Sequence, residues 1–267
     1  MFFMSSVVQV SFLSISFFDQ RGPRRRSTGR VLLTIALVLG FLPVVFSAPF
    51  PPLFVDRSPF DQAICINRSE ALSQPVTGLT VPHHLLAIDL LADAFQRVRN
   101  LSYQRIIILG PDHYSRSVTP FAVCNRDLMT CYGLVPVARS QVERLLKSPL
   151  ISSSNLFSHE HAVQAVAPFF ARFFPNVPVL AIAIRNDSQK TDWDALYAEL
   201  APLAGTGTLI VQSTDFSHFL SATEARKFDQ ESLRVLASLD ARLALELNQP
   251  RHVDSRGALY LQMRLQK

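Results

Sequence analysis

Apolar residues follow two different periods in this chain, and the periods alternate along its length. Arg105–Leu109 (RIIIL), Val177–Ile184 (VPVLAIAI) and Thr208–Gln212 (TLIVQ) are near-continuous apolar runs of strand length. Runs of this kind suit strands buried on both faces. Leu79–Pro82 is a shorter extended run. Between the runs, apolar positions recur at three- and four-residue steps. Leu85–Val98 carries Leu86, Leu90, Leu91, Ala94, Phe95 and Val98 in that spacing, and Glu160–Phe174 carries Val163, Val166, Ala167 and Phe170. Further helices are predicted over Ser140–Leu146, Trp193–Leu203, Thr223–Leu236 and Ala241–Leu247. Val118–Cys124 and Tyr132–Val137 read as a hairpin. Buried strands alternating with amphipathic helices predict a three-layer α/β sandwich, its mostly parallel sheet flanked by helices. Such sheets bind ligands at the carboxyl ends of their strands.

The first 48 residues follow a different pattern. Arg21, Arg24, Arg25, Arg26 and Arg30 precede Val31–Ala48 (VLLTIALVLGFLPVVFSA), a run without charge. Arginines ahead of an apolar run hold the N-terminus inside and send the following chain across a membrane. The run is at the short edge for a spanning helix. A cleaved signal peptide and an uncleaved anchor both fit. Either predicts an exported protein, periplasmic or anchored in the inner membrane with its domain outside the cytoplasm. Residues 49–74, Pro-rich at their start, read as a linker, and 75–267 as the domain.

Charge changes one further reading. The chain carries +5, but residues 1–48 hold five Arg against Asp19 alone. The remainder is close to neutral, so the basic balance does not point to a nucleic-acid partner. Of the three cysteines, Cys124 and Cys131 flank the short stretch NRDLMT. They read equally as a bridge across a hairpin, allowed if the domain is exported, or as two separate small residues. No C-x-x-C occurs, which excludes a zinc ribbon.

Histidine placement carries the chemistry. His83-His84 follows LTVP, His113 follows RIIILGPD, and His218 lies in STDFSH after TLIVQ. His159-Glu160-His161 opens the long helix, so six of the seven histidines lie at strand ends or a helix start. Convergence of strand ends on one sheet edge would gather them into a shared polar site. Imidazole suits Fe, Cu, Zn and Ni, and a mixed His/carboxylate set suits non-haem Fe(II). A further His outside the ligand set has the right pKa range for proton transfer.

The fragments VPHH, ILGPDH, LFSHEHAV and STDFSH, in this order, resemble the Memo-like family (AmmeMemoRadiSam system protein B) over about residues 75–267. That family is similar in fold to the catalytic subunit of class III extradiol dioxygenases. The resemblance implies a metal site using His83 and His113. Asp215 and His218 match its Asp-Phe-x-His motif, with His218 the acid/base residue and Asp215 orienting it. Glu160 and His161 match its Glu-His pair beside the site. Where the family usually has Cys-Gly before a helix, this chain has Asp254-Ser255-Arg256-Gly257. Asp254 as third ligand would give a two-His-one-carboxylate set and favour a hard divalent metal, Fe(II) ahead of Cu or Zn. Asp254 as a mere helix N-cap is the competing reading. The resemblance also implies a final helix and strand beyond the helix near Arg256, so the domain is expected to be C-terminally short.

Two functions therefore stand side by side. One is a metal-binding protein with non-haem-iron redox or dioxygenase-type activity on a small substrate. The other is a non-catalytic module binding a peptide or protein in the same cleft. The partners expected are a small molecule or peptide, no nucleic acid, and a membrane through the N-terminal segment if it is retained.

Overall fold

The computed structural model describes residues 47–266. Eight strands are present: β1 (Gly78–Val81), β2 (Arg105–Asp112), β3 (Phe121–Val123), β4 (Leu128–Thr130), β5 (Gly133–Val135), β6 (Ile151–Ser153), β7 (Val179–Arg185) and β8 (Thr208–Ser213). The α-helices are α1 (Ser58–Ile66), α2 (Ile88–Val98), α3 (Arg139–Leu145), α4 (His161–Gln164), α5 (Ala167–Phe173), α6 (Lys190–Leu200), α7 (Ala222–Ser238) and α8 (Arg256–Leu265). Six strands form one sheet in the order β1-β8-β2-β7-β3-β6, and β4 pairs with β5 as a separate ribbon. All pairings in the large sheet are parallel except β3 with β7.

The apolar runs become the sheet centre because both of their faces are covered. Ile106 and Ile108 of β2 join Ala181 and Ala183 of β7 and Val211 of β8 in one core. That core is closed by α1, α2 and α5 through Phe60, Phe95, Phe169 and Phe170. Ile107 and Leu109 join Leu180, Ile182 and Ile210 in the opposite core, closed by Trp193 of α6 and by Leu259 and Met263 of α8. Successive strand residues point to opposite faces, so a continuous apolar run supplies both cores at once. The predicted three-layer α/β architecture with a mostly parallel sheet is the observed one.

Local expectations differ from the structure in definite ways. The helix expected over Glu160–Phe174 is two helices, α4 and α5. Pro168 cannot donate to the carbonyl four residues back and its ring crowds that carbonyl, so the helix restarts. Leu86 and Leu90 are largely exposed, whereas Leu91, Phe95 and Val98 are buried as expected, joined by Ala92. The expected hairpin of Val118–Cys124 with Tyr132–Val137 is also absent. β3 joins the main sheet, while β5 pairs with β4. That pairing settles the cysteines. All three are free, with Cys124 buried and its Sγ directed at the Arg126 carbonyl.

Residues 49–66 are not a linker. Phe50 accepts from Met129 and donates to Asp127, extending the ribbon beside β4. Phe50 and Phe60 are each 1% exposed. Gln164 of α4 receives the Leu53 amide on its Oε1 and reaches the Pro51 carbonyl with its Nε2. The Pro-rich arm is thus strapped across α4 because aromatic residues at its start bury in the core.

The membrane expectation is also corrected. Among the described residues no helix is long and apolar enough to cross a membrane. The segment on which anchor, signal peptide and export rested, Val31–Ala48, lies almost wholly outside the described residues. Nothing described supplies the ~20 apolar helical residues that spanning requires. The exported, membrane-anchored location is accordingly withdrawn.

One close approach sets the position of α8. A Cβ on Gly257 would meet Trp193 Nε1 at 2.8 Å and Ile184 Cγ2 at 2.9 Å. Gly257→Ala should therefore destabilise the fold by about 1–3 kcal/mol, as overpacking does. Denaturant unfolding of the purified variant measures this, and an unchanged midpoint would contradict the packing. Thiol titration should find Cys65 reactive in the native state and Cys124 inert, since burial pushes the Cys124 thiol up to about 12. A Cys124–Cys131 bridge in non-reduced digests would refute the pairing described.

Candidate metal centre

The parallel strands β1, β2 and β8 deliver their carboxyl ends to one edge, and there the polar residues gather. His83 comes two residues after β1. Its ring is buried, and its backbone N–H donates to Asp215 Oδ1 at 3.0 Å. His83 Nδ1 lies 3.2 Å from Ser213 Oγ, at the end of β8. The Ser213 hydroxyl proton goes to the Ala162 carbonyl at 2.5 Å. A hydroxyl has one proton to give, so toward His83 it accepts, and the ring proton sits on Nδ1. In the neutral ring that leaves the lone pair on Nε2, and in the charged ring an N–H there faces the carboxylates. His83 Nε2 is 3.1 Å from Asp254 Oδ2 and 3.6 Å from Asp215 Oδ2, yet it is buried without an aligned hydrogen bond.

His113 follows β2 directly. Its Nδ1 donates to Glu160 Oε1 at 2.6 Å, and its backbone N–H donates to Glu160 Oε2 at 3.0 Å. Glu160 is fully buried and also caps α4 by accepting from the Ala162 N–H. With Nδ1 so held, His113 turns Nε2 toward Asp254 Oδ2, 3.7 Å away. His161, the first residue of α4, stacks on the His113 ring at 4.0 Å between centroids.

Asp254 is placed by its neighbours on both sides. The N-cap of α8 is Ser255, whose Oγ accepts from the Ala258 N–H. The Asp254 carboxylate is therefore free to enter the site, and the N-cap reading for Asp254 is set aside. Its Oδ1 accepts from the Thr214 hydroxyl, and its Oδ2 from the Asp215 N–H at 3.1 Å. Two overlapping sets come within metal-ligand reach: His83, His113 and His161; and His83, Asp215 and Asp254.

Against known sequences, the family model described as Memo-like protein matches residues 64–265. The chain belongs to this family. A MEMO1 family protein of Methanosarcina barkeri is 24% identical over 205 residues, which are 72% of this chain and 73% of that protein. A MEMO1 family protein of Aquifex aeolicus is 28% identical over 144 residues, 51% of this chain and 52% of that protein. Among solved structures, an uncharacterized protein from Escherichia coli K12 matches with a TM-score of 0.37 and 15% identity. It covers 61% of this chain and 75% of that one, too slight a likeness to bear on the fold.

Within this Memo-like chain the expected residues are not all brought together. His83, His113, Asp254, Glu160 and His161 converge. Asp215 converges too, but on His83 rather than on His218. The expected Asp215–His218 pair is not formed among the described residues. His218 Nδ1 instead contacts the Phe216 carbonyl at 2.7 Å, and its ring neighbours Phe219. The backbone takes a left-handed φ of 59° at Phe219, just after His218. Ser213 and Thr214, which set the His83 tautomer and hold Asp254, went unremarked in the sequence. Their signal was present in the run Ser213-Thr214-Asp215, where hydroxyls stand beside a carboxylate at a strand end.

The electrostatics of this Memo-like site are shaped by crowding. Burial works against charge on Asp254, but the His113 and His83 rings and the Thr214 hydroxyl hold its carboxyl well below the usual range. Burial likewise opposes charge on Glu160, and the His113 hydrogen bond and charge, together with the Ala162 and His113 amides, outweigh it. For His113, burial pulls downward, while Asp254 and Glu160 pull upward and raise it to about 9. His161 is depressed to about 4, first by burial and then by the neighbouring His113 and His83.

These shifts fix a pH dependence for the metal-free protein. The raised His113 value contributes stability that is complete below about pH 6.5 and lost as pH rises through about 9. Depressed Asp254 contributes stability that is present above about pH 3.8 and lost at lower pH. His161 acts oppositely to His113, costing stability as pH falls from about 6.5 to about 4. Stability from this cluster should therefore peak near pH 6.5. Denaturation of chelator-treated protein from pH 4 to 10 tests this, and stability that rises from pH 7 to 9 would contradict it. By NMR, the His113 ring should titrate near pH 9, and Glu160→Gln should lower that midpoint.

Proposed function

We propose that the protein binds a divalent metal through His83, His113 and Asp254 and uses it in a redox or dioxygenase-type reaction on a small substrate. The observation that carries this reading is His83 Nε2. It is buried without an aligned hydrogen bond, with Nδ1 already turned to Ser213, and faces carboxylate oxygens at 3.1 and 3.6 Å. Such a nitrogen is stable against carboxylates only with positive charge between them, a ring proton or a bound cation. The donor set fits a divalent ion. Two imidazoles are fixed by Nδ1 partners, Ser213 and Glu160, as ligand histidines usually are. The carboxylate stays ionised. His161 is neutral and within ligand reach of His83 and His113, a third nitrogen for the site.

Where relatives resembling this chain carry a thiolate, Asp254 offers oxygen, and the set is then closer to two histidines and one carboxylate. That hardness supports Fe(II) over Cu or Zn. When bound, such an ion supplies redox and Lewis-acid chemistry at open coordination positions. The chain's own residues do the rest. Glu160 holds the His113 proton at Nδ1, Ser213 holds the His83 proton at Nδ1, and Thr214 with the Asp215 amide orients Asp254. His218 remains the proposed proton-transfer residue, its Nε2 without a partner among the described residues. A cleft of about 610 Å³ opens against His83 and His161. That volume is typical of a small-molecule site, which favours a small substrate over a bound peptide or protein.

Metal analysis of anaerobically prepared protein tests the reading. His83→Ala, His113→Ala and Asp254→Ala should each lower occupancy to a similar degree. Asp254→Cys should keep a metal and shift preference toward softer ions such as Cu(I) or Zn(II). His218→Ala should keep the metal and lose ~10²–10⁴-fold in turnover. If Asp254→Ala binds metal like wild type while both His variants do not, the carboxylate is not a ligand. If none of the three changes occupancy, the metal reading falls.

A further inference from the structure

We propose that the cleft beside the histidine cluster takes a small organic monocarboxylate with an aromatic or branched apolar body, and that Arg116 binds the carboxylate. Its identification as the substrate rests on the metal-centre reading above. The carboxylate site itself is argued separately, from the loop that follows β2.

That loop is held rigidly. Asp112, at 0% exposure, ends β2 and turns its carboxylate back onto the loop. Oδ1 accepts from the Arg116 N–H at 3.1 Å and Oδ2 from the Ser117 N–H at 2.7 Å. The Asp112 carbonyl accepts from Ser115, which takes a left-handed φ of 49° to close the turn. Ser117 is buried, its Oγ donates to the Thr119 carbonyl, and its own carbonyl accepts from Arg185. Within five residues, one buried carboxylate thus fixes His113 at the cluster, Tyr114 on the cleft wall and Arg116 at its margin. Both Asp112 oxygens are thereby satisfied by loop amides, as a buried carboxyl group requires.

The Arg116 side chain is presented without a counter-charge. Its guanidinium lies over the Tyr114 ring, 5.1 Å from the centroid. Among the described residues no carboxylate pairs with it, and none lines the cleft. Arg57, Arg97, Arg185 and Arg264 each hold an aspartate, whereas Arg116, like Arg172 and Arg251, is exposed with only an aromatic ring against it. Stacking orients the guanidinium plane, and its fork matches a carboxylate with two parallel hydrogen bonds. The same cleft is lined by the apolar Leu53, Phe54 and Leu85 and by His83 and His161 of the cluster. One fixed cation, an apolar lining and the cluster histidines describe a ligand with one negative charge, an apolar body, and a group directed at the cluster. A phosphate dianion would bring one charge more than Arg116 neutralises.

Binding to full-length protein stripped of metal tests this, because a carboxylate cannot then be held by the ion. The probes are benzoate, its neutral counterpart benzamide, and phenyl phosphate, followed by calorimetry or amide chemical shifts. Wild type should prefer benzoate over benzamide by roughly tenfold or more, the usual value of a charge-assisted pair. Arg116→Gln should abolish that preference while leaving benzamide affinity and, after reconstitution, metal occupancy unchanged. Equal affinities for benzoate and benzamide in wild type, or a preference that survives Arg116→Gln, would overturn the site. Tighter binding of phenyl phosphate than benzoate would overturn the carboxylate assignment. A wild type that takes no metal but keeps the Arg116-dependent preference would sink the metal reading and leave the carboxylate site standing.

Discussion

Asp254 keeps a negative charge while only 5% exposed, and most of what surrounds it answers that charge. A buried carboxylate survives in ionised form only with hydrogen bonds and positive charge close by. The Thr214 hydroxyl and the Asp215 amide, both at the end of β8, meet the first need. His113 meets the second, and its own partner Glu160 is a further buried carboxylate. The chain of alternating charges runs Asp254, His113, Glu160, and ends in the backbone of α4. Removing one member leaves another buried and uncompensated, which typically costs 3–5 kcal/mol. A divalent cation beside Asp254 would relieve the same problem at its source.

The cluster owes its precision to the sheet rather than to its loops. β1, β8 and β2 are adjacent and parallel, so their carboxyl ends reach the same level. The partner of each imidazole sits on a different element from the imidazole itself. His83 is read by Ser213 of β8, and His113 by Glu160 at the head of α4. Asp254 arrives from the approach to α8, whose seat against Trp193 and Ile184 depends on Gly257. Core packing and site geometry are therefore the same constraint seen from two distances.

Much of this was legible in the chain because the central strands bury both faces. Ile106 to Leu109 need no polar side, so their apolar run reads clearly, and the strand ends point to His83 and His113. What escaped was set by contacts distant in sequence. Whether Leu86 and Leu90 face the core depends on where α2 meets the sheet, and periodicity alone is silent on that. The destination of β3 was decided by its antiparallel partner β7, not by the turn before β4. The Asp215–His218 pairing failed because the Asp215 carboxylate is taken up by the His83 amide, a contact between distant stretches that a motif does not show. Phe50 and Phe60 were hidden by prolines that signal irregular chain but say nothing about burial.

The arm through Leu53 and Phe54 has an implication for how this site diversifies. It walls the cleft, yet it precedes residue 64, where the match to the family begins. The reactive cluster and its strand-end supports lie inside the matched span. The wall of the cavity is thus drawn from both sides of residue 64, since Leu85, Tyr114 and Arg116 lie within the matched span. Substitution at Leu53 or Phe54 would alter the shape of the cleft while leaving the histidines in place.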